Sequence, residues 1–128
     1  MIAKQLAFII EDDEPLNELF TEALKQAGFE TKTFHSGDLA LAALAVSTPN
    51  VVILDLNLPQ VSGQQILQMI RSKTQLTNTR VIITSANHLM AENLRNAADL
   101  VLVKPVSFSQ LRDCLLYTSP SPRDTAIS

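Results

Sequence analysis

Four apolar runs each end in residues that could do chemistry. Leu6 to Ile10 leads into Glu11-Asp12-Asp13-Glu14, Val51 to Leu54 into Asp55, Val81 to Thr84 closes on Thr84-Ser85, and Leu100 to Val103 leads into Lys104-Pro105. If these runs are strands of one sheet, carboxylates, a hydroxyl and an ammonium meet at its carboxyl edge. Carboxylates crowded together repel one another and raise their own pKa values unless a cation sits among them. A hard divalent ion resolves that conflict, and an open, water-rich site with one or two direct carboxylates suits magnesium. The closely spaced oxygen ligands of a calcium loop are absent. The expected ligands are Asp12 and Asp55 directly, Glu11 through water, and the backbone carbonyl of Asn57. Asp13 and Glu14 are better explained as the cap and first-turn acid of the helix that follows.

The elements that would position these groups are legible from period and composition. Short runs rich in β-branched residues alternate with stretches of helical period, the pattern of a parallel sheet covered by helices on both faces. Five strands are expected, the four above and Thr31 to Phe34. In such a doubly wound sheet, ligands collect outside the carboxyl ends of the strands. The first helix is expected to bury Leu16, Leu19, Phe20, Ala23, Leu24 and Ala27, with Asp13 as N-cap, Pro15 near its start and Gly28 at its stop. A second follows Ser36-Gly37 with Leu39, Ala40, Ala43 and Leu44 inward, ending before Pro49. A third runs from Gly63 through Ile66, Leu67 and Ile70, and Gly63 serves the turn into it. The fourth spans Leu89 to Ala97, and the fifth begins near Ser107 with Phe108 and Leu111 inward.

The 128 residues and 46% hydrophobic content suit one domain with one core. A formal charge of -3 leaves no basic footprint for nucleic acid, so direct nucleic-acid binding by this domain is not expected. No apolar stretch is long enough to span a bilayer and Met1-Ile2-Ala3-Lys4 lacks a secretory pattern, so a cytoplasmic location is expected. The single Cys114 excludes an internal disulfide, and no Cys/His spacing fits zinc. From Cys114 to Asp124 the chain resembles the in-frame translation of a transposon-type sequencing adaptor. On that reading the native domain occupies residues 1–113, its fifth helix is truncated, and 114–128 form a non-native, flexible tail.

Taken together, Glu11-Asp12, the stretch Asp55-Leu-Asn-Leu-Pro59 with Gly63 beyond it, Ser85-Ala86, and Lys104-Pro105 resemble the receiver domains of bacterial response regulators over Lys4 to Asp113. The resemblance implies a flavodoxin-like, five-stranded parallel sheet of order 2-1-3-4-5. It implies that Asp55 takes a phosphoryl group from a histidine kinase or phosphotransfer protein, with Mg2+ as cofactor. Lys104, aimed into the site by a cis Lys104–Pro105 bond, would pair first with Asp55 and then with a phosphoryl oxygen, while Ser85 would donate its hydroxyl to another. Asn87 would border the phosphate and tune hydrolysis. The implied molecule is a switch rather than an enzyme, limited to self-phosphorylation and slow self-dephosphorylation. Its signal would pass to an output domain or target protein, and phosphorylation-dependent dimerisation is a further expectation.

Two departures concern the output. Val101 stands three positions before the lysine, where the family commonly has an aromatic residue, and the segment from Ser85 to Lys104 is about three residues shorter than usual. They leave open a second reading, a receiver-like interaction module that has lost phosphorylation. An aspartyl-phosphate phosphatase would need its nucleophile after the first strand and a cap domain, for which the chain has no room. His35 and His88 are expected in solvent-facing loops.

Overall fold

The computed structural model describes residues 4–59 and 61–117. In chain order the elements are β1 (Leu6–Ile10), α1 (Glu14–Gln26), β2 (Glu30–Phe34), α2 (Gly37–Leu44), β3 (Val51–Asp55), α3 (Gly63–Ser72), a 3-10 turn (Thr74–Leu76), β4 (Arg80–Ser85), α4 (His88–Asn93), β5 (Leu100–Val103) and α5 (Phe108–Tyr117). All strand pairs are parallel, and the sheet order is β2-β1-β3-β4-β5, as the sequence implied. Chain order reverses between β1 and β3, which opens the crevice above their carboxyl ends.

Alternation along the strands feeds two cores. Phe8 and Ile10, Val52 and Leu54, Val81 and Ile83 meet Ala40, Leu44, Ile66 and Ile70 on one face. Ala7 and Ile9, Val51 and Ile53 meet Phe20, Ala23, Leu24 and Leu111 on the other. β3 and β4 are buried at every position, so their near-continuous apolar runs follow from having helices on both sides. β2 lies at the sheet edge and keeps Glu30, Lys32 and Thr33 exposed.

Helix phase departs from expectation in three places. Leu39 is 58% exposed, because α2 starts at Gly37 and turns Gly37, Ala40 and Leu44 inward at spacings of three and four. Ala27 is exposed as the C-cap of α1, ahead of Gly28 at a φ of +95°. α4 ends at Asn93 rather than Ala97. The carbonyl of Ala97 is claimed by Arg71, whose Nε donates to it at 2.9 Å, and the intervening backbone closes by turns onto Leu94.

Arg71 also donates from Nη1 to the Thr79 carbonyl at 3.2 Å and from Nη2 to Asp99 Oδ2 at 2.9 Å, while Asp99 Oδ2 accepts from the Val81 amide at 2.8 Å. One guanidinium thus ties the end of α3 to the starts of β4 and β5. α5 continues past Asp113 to Tyr117, and Leu115 is buried beside Leu111 in the second core. The boundary expected at 113/114 therefore falls inside a helix, and the rest of the expected tail, 118–128, lies outside the described residues. Among the described residues, no helix is long and apolar enough to cross a membrane.

Candidate functional site

The β1–α1 connection supplies the acidic wall. Asp13 caps α1 by accepting the Leu16 amide at Oδ2, 3.0 Å, as expected from its position before Pro15. That cap fixes the turn in which Glu11 points inward and Asp12 outward. Glu11 is fully buried and Asp12 exposed. Glu11 Oε2 accepts the Asp13 amide at 3.1 Å, and the Glu11 carbonyl accepts from Asn17 Nδ2 at 3.1 Å. Asn17, a buried polar residue on the inner face of α1, is a support that sequence reasoning missed. Its signal was an amide placed between Leu16 and Phe20, where the helical period calls for an apolar side chain.

β3 delivers Asp55 at its last position, 1% exposed. Asp55 Oδ1 accepts the amide of Asn57 at 3.0 Å, and Leu56 donates its amide to the Thr84 carbonyl at 3.0 Å, so the carboxylate sits on an anchored turn. From β5, Lys104 Nζ lies 3.3 Å from both Asp55 Oδ2 and Glu11 Oε1. The Lys104 amide donates to the Ser85 carbonyl, and the Lys104–Pro105 bond is cis. Thus Glu11, Asp55 and Lys104 form one cluster with Asp12 at its rim.

The electrostatics follow from that packing. Burial, then the hydrogen bond and charge of Asp55, push Glu11 from an ordinary 4.5 up to about 7, against the opposing pull of the Asp13 amide and Lys104. Burial works to lower Lys104, but Asp55 and Glu11 together outweigh it and hold the ammonium above its usual value. Carboxylate oxygens of Glu11, Asp12 and Asp55 all come within 4.8 Å of one another. Glu11 Oε1 is buried and, ion pair apart, lacks a hydrogen bond. Hard oxygen donors, one exposed carboxylate open to water and this unsatisfied oxygen fit a magnesium ion held partly through water.

A pH dependence follows for the metal-free protein. Glu11 has a folded pKa above its unfolded one, so its contribution is fully present below about 4.5 and is lost as pH rises through about 7. In chelator, stability is expected to fall by about 2–3 kcal/mol between pH 5 and 8, a Tm change on the order of 10 °C. Glu11→Gln should flatten the profile. Thermal melts of both proteins across that range check it, and an equal slope in Glu11→Gln would contradict it.

Ser85 ends β4, is fully buried, and accepts the Lys104 amide at its carbonyl. Its Oγ accepts the Asn87 amide at 3.0 Å and lies 3.3 Å from the Asn87 carbonyl. Asn87 Oδ1 accepts the amides of Leu89 and Met90 at 2.9 and 3.2 Å and caps α4, a role that sequence reasoning missed. Val101 is buried in the first core, on the face covered by α2, α3 and α4. His35 and His88 are exposed, His88 as the first residue of α4 rather than in a loop.

Comparison with known proteins agrees with this architecture. The family described as the response regulator receiver domain matches residues 7–116. The phosphate regulon transcriptional regulatory protein PhoB of Rhizobium meliloti is 33% identical over 106 residues, covering 80% of this chain and 47% of that protein. The sensor histidine kinase RcsC of Salmonella typhi is 30% identical over 125 residues, 94% of this chain but 13% of that protein. The chain thus spans about half the length, or much less, of these curated relatives. Among solved structures, the phosphorylated cyanobacterial phytochrome response regulator RcpA superposes with a TM-score of 0.76 at 26% identity, covering 94% of this chain and 99% of that one.

Proposed function

The chain belongs to the response regulator receiver domain family, a family of signalling switches, and on that premise we propose that Asp55 is its phospho-acceptor. The observation that carries this reading is one buried carboxylate at the end of β3, oriented by the Asn57 amide on one oxygen and by Lys104 on the other. In the reaction, an Asp55 oxygen attacks the phosphorus of a phosphohistidine. A carboxyl O–P bond forms, the P–N bond breaks, and the imidazole leaves with the electron pair and takes up a proton.

Lys104 neutralises Asp55 at rest and then faces the charge that arrives on the phosphoryl oxygens. Asp12 and Asp55 directly, Glu11 through water and the Asn57 carbonyl would hold magnesium, which when bound supplies positive charge opposite those oxygens. Asn17 and the Asp13 amide keep Glu11 in place. An apolar cleft of about 300 Å³ lined by Asp13, Pro15, Leu16 and Leu19 of the α1 region and by Lys104, Pro105 and Val106 opens beside the cluster, and a histidine-bearing donor would dock there. Slow hydrolysis of the acyl phosphate resets the switch. The output, by attached domain, target protein or dimerisation, lies with segments and partners beyond this cluster.

Intact-mass measurement after incubation with acetyl phosphate and magnesium tests the reading. Wild type should gain one phosphoryl group and Asp55→Ala none; no gain on wild type would refute it.

The signal is expected to leave through Ser85. To donate to a phosphoryl oxygen its hydroxyl must turn its proton away from the Asn87 carbonyl, 3.3 Å off, and the rotation that carries Oγ away also breaks its bond from the Asn87 amide, which loosens the cap on α4. Losing one such bond is worth about 1 kcal/mol, so exchange at the Asn87, Leu89 and Met90 amides should quicken roughly five-fold on phosphorylation. Hydrogen exchange with and without acetyl phosphate checks this. Ser85→Ala should show no further change on phosphorylation, and protection unaltered in wild type would contradict the route.

A further inference from the structure

We infer that Gly63 is a positioning residue for Asp55, setting the orientation of the carboxylate through the backbone of Leu56 and Asn57; this rests on Asp55 being the phospho-acceptor. Gly63 is the first residue of α3 and is buried. A Cβ built there would stand 2.7 Å from the Asp55 carbonyl oxygen, 2.7 Å from Leu56 Cα and 3.2 Å from Leu56 Cδ2. Two of these three atoms are backbone, so the clash cannot be relieved by turning a side chain.

Neither side of this contact is free to retreat. The start of α3 is pinned by a capping box, in which Ser62 Oγ accepts the Gln65 amide at 3.2 Å and Gln65 Oε1 accepts the Ser62 amide at 3.0 Å. On the opposite side the Leu56 amide is bonded to the Thr84 carbonyl. The next residue, Asn57, donates the amide that holds Asp55 Oδ1, and its carbonyl is one of the ligands proposed for the metal. Displacing Leu56 therefore moves both the donor that orients the nucleophile and one member of the ligand set. Gly63 does more than permit a turn: its missing side chain lets α3 press directly on the segment that aims Asp55.

Gly63→Ala tests this against Leu67→Ala, a cavity on the same helix, since Leu67 is 2% exposed and packs in the first core. The readouts are amide exchange at Asn57 and Ile53 in metal-free protein, and the magnesium dissociation constant by calorimetry. Gly63→Ala is expected to quicken exchange at Asn57 about ten-fold beyond any change at Ile53 and to weaken magnesium binding by a similar factor, while Leu67→Ala affects both amides together and leaves binding within about two-fold. If Gly63→Ala does not fold, Ser62→Ala, which removes the capping box and costs only about one helix cap, should show the same selective pattern to a smaller degree. Equal changes at Asn57 and Ile53 in the Gly63 or Ser62 variant would overturn the inference. Selective loosening of Asn57 in a wild-type background that takes no phosphate would uphold the positioning and refute the acceptor assignment instead.

Discussion

Lys104→Met is expected to slow phosphorylation of Asp55 by acetyl phosphate by about 100-fold or more, the scale of losing one preorganised charge partner in a buried site. Methionine keeps the apolar stem and removes only the ammonium, which lies 3.3 Å from each of two buried carboxylates. The same change is expected to destabilise the protein by about 2 kcal/mol at pH 8, because Asp55 and Glu11 are left facing each other without a cation. At pH 5 the loss should be smaller. Glu11, already raised to about 7 while Lys104 pulls it down, moves higher without that pull and takes a proton. Initial labelling rates and urea melts at the two pH values check both parts. A labelling rate within about three-fold of wild type would remove Lys104 from the reaction.

The second large effect has the opposite sign. In chelator at pH 8, Asp55→Asn is expected to raise Tm by roughly 5 °C, since it removes one of two like charges from a dry pocket. The amide oxygen can still accept the Asn57 amide, so the turn is kept. Lys104 retains Glu11 as its partner, and Glu11 loses both the charge and the hydrogen bond of Asp55 that raise it. At pH 5, where Glu11 is protonated in wild type, the gain should shrink. With magnesium present it should narrow or reverse, because only wild type keeps the full ligand set and binding to the native state stabilises it. An unchanged or lower Tm in chelator would mean that the acidic cluster is not under electrostatic load.

These effects concern residues that the sequence already made visible, for a physical reason. A parallel sheet buried on both faces must be written as apolar runs, and chemistry at its carboxyl edge must follow those runs directly. Glu11, Asp12, Asp55, Ser85 and Lys104 therefore stand out at the strand ends, and the five strands follow from the same pattern, while their order is what the family resemblance implied. The supports around them are harder to read. Asn17 holds Glu11 by a single side-chain bond from a helix face that is otherwise apolar. Arg71 and Asp99 meet across 28 residues, a separation at which no local pattern pairs them. Leu39 was misplaced because α2 is rich in Ala and Leu on several faces, so composition does not set its phase. The cap that Asn87 places on α4 is hidden in the sequence because the residue stands only two positions after Ser85, within the site's own motif. The start of α5 was legible from Ser107, whose hydroxyl accepts the Gln110 amide. Its extension to Tyr117 was not, because the change in composition after Asp113 masks the four-residue spacing of Leu111 and Leu115.

Val101 bears on how the switch would be read out. A buried valine has no ring to turn between an outer and an inner position, and it is closely held in the first core. The arrangement instead connects Ser85 to α4 through Asn87, two residues away. A signal carried by that route would act on a helix of six residues, followed by turns whose Ala97 carbonyl is held by Arg71. Any conformational response should then concentrate at the start of α4, around His88 and Leu89, both exposed.

Reductive trapping tests the assignment of Asp55 most directly. Borohydride treatment after incubation with acetyl phosphate and magnesium converts an aspartyl phosphate to homoserine, and peptide mass mapping locates the converted residue. The expected result is homoserine at position 55 alone, dependent on acetyl phosphate. Conversion at Asp12 or reduction at Glu11, with residue 55 still aspartate, would contradict it.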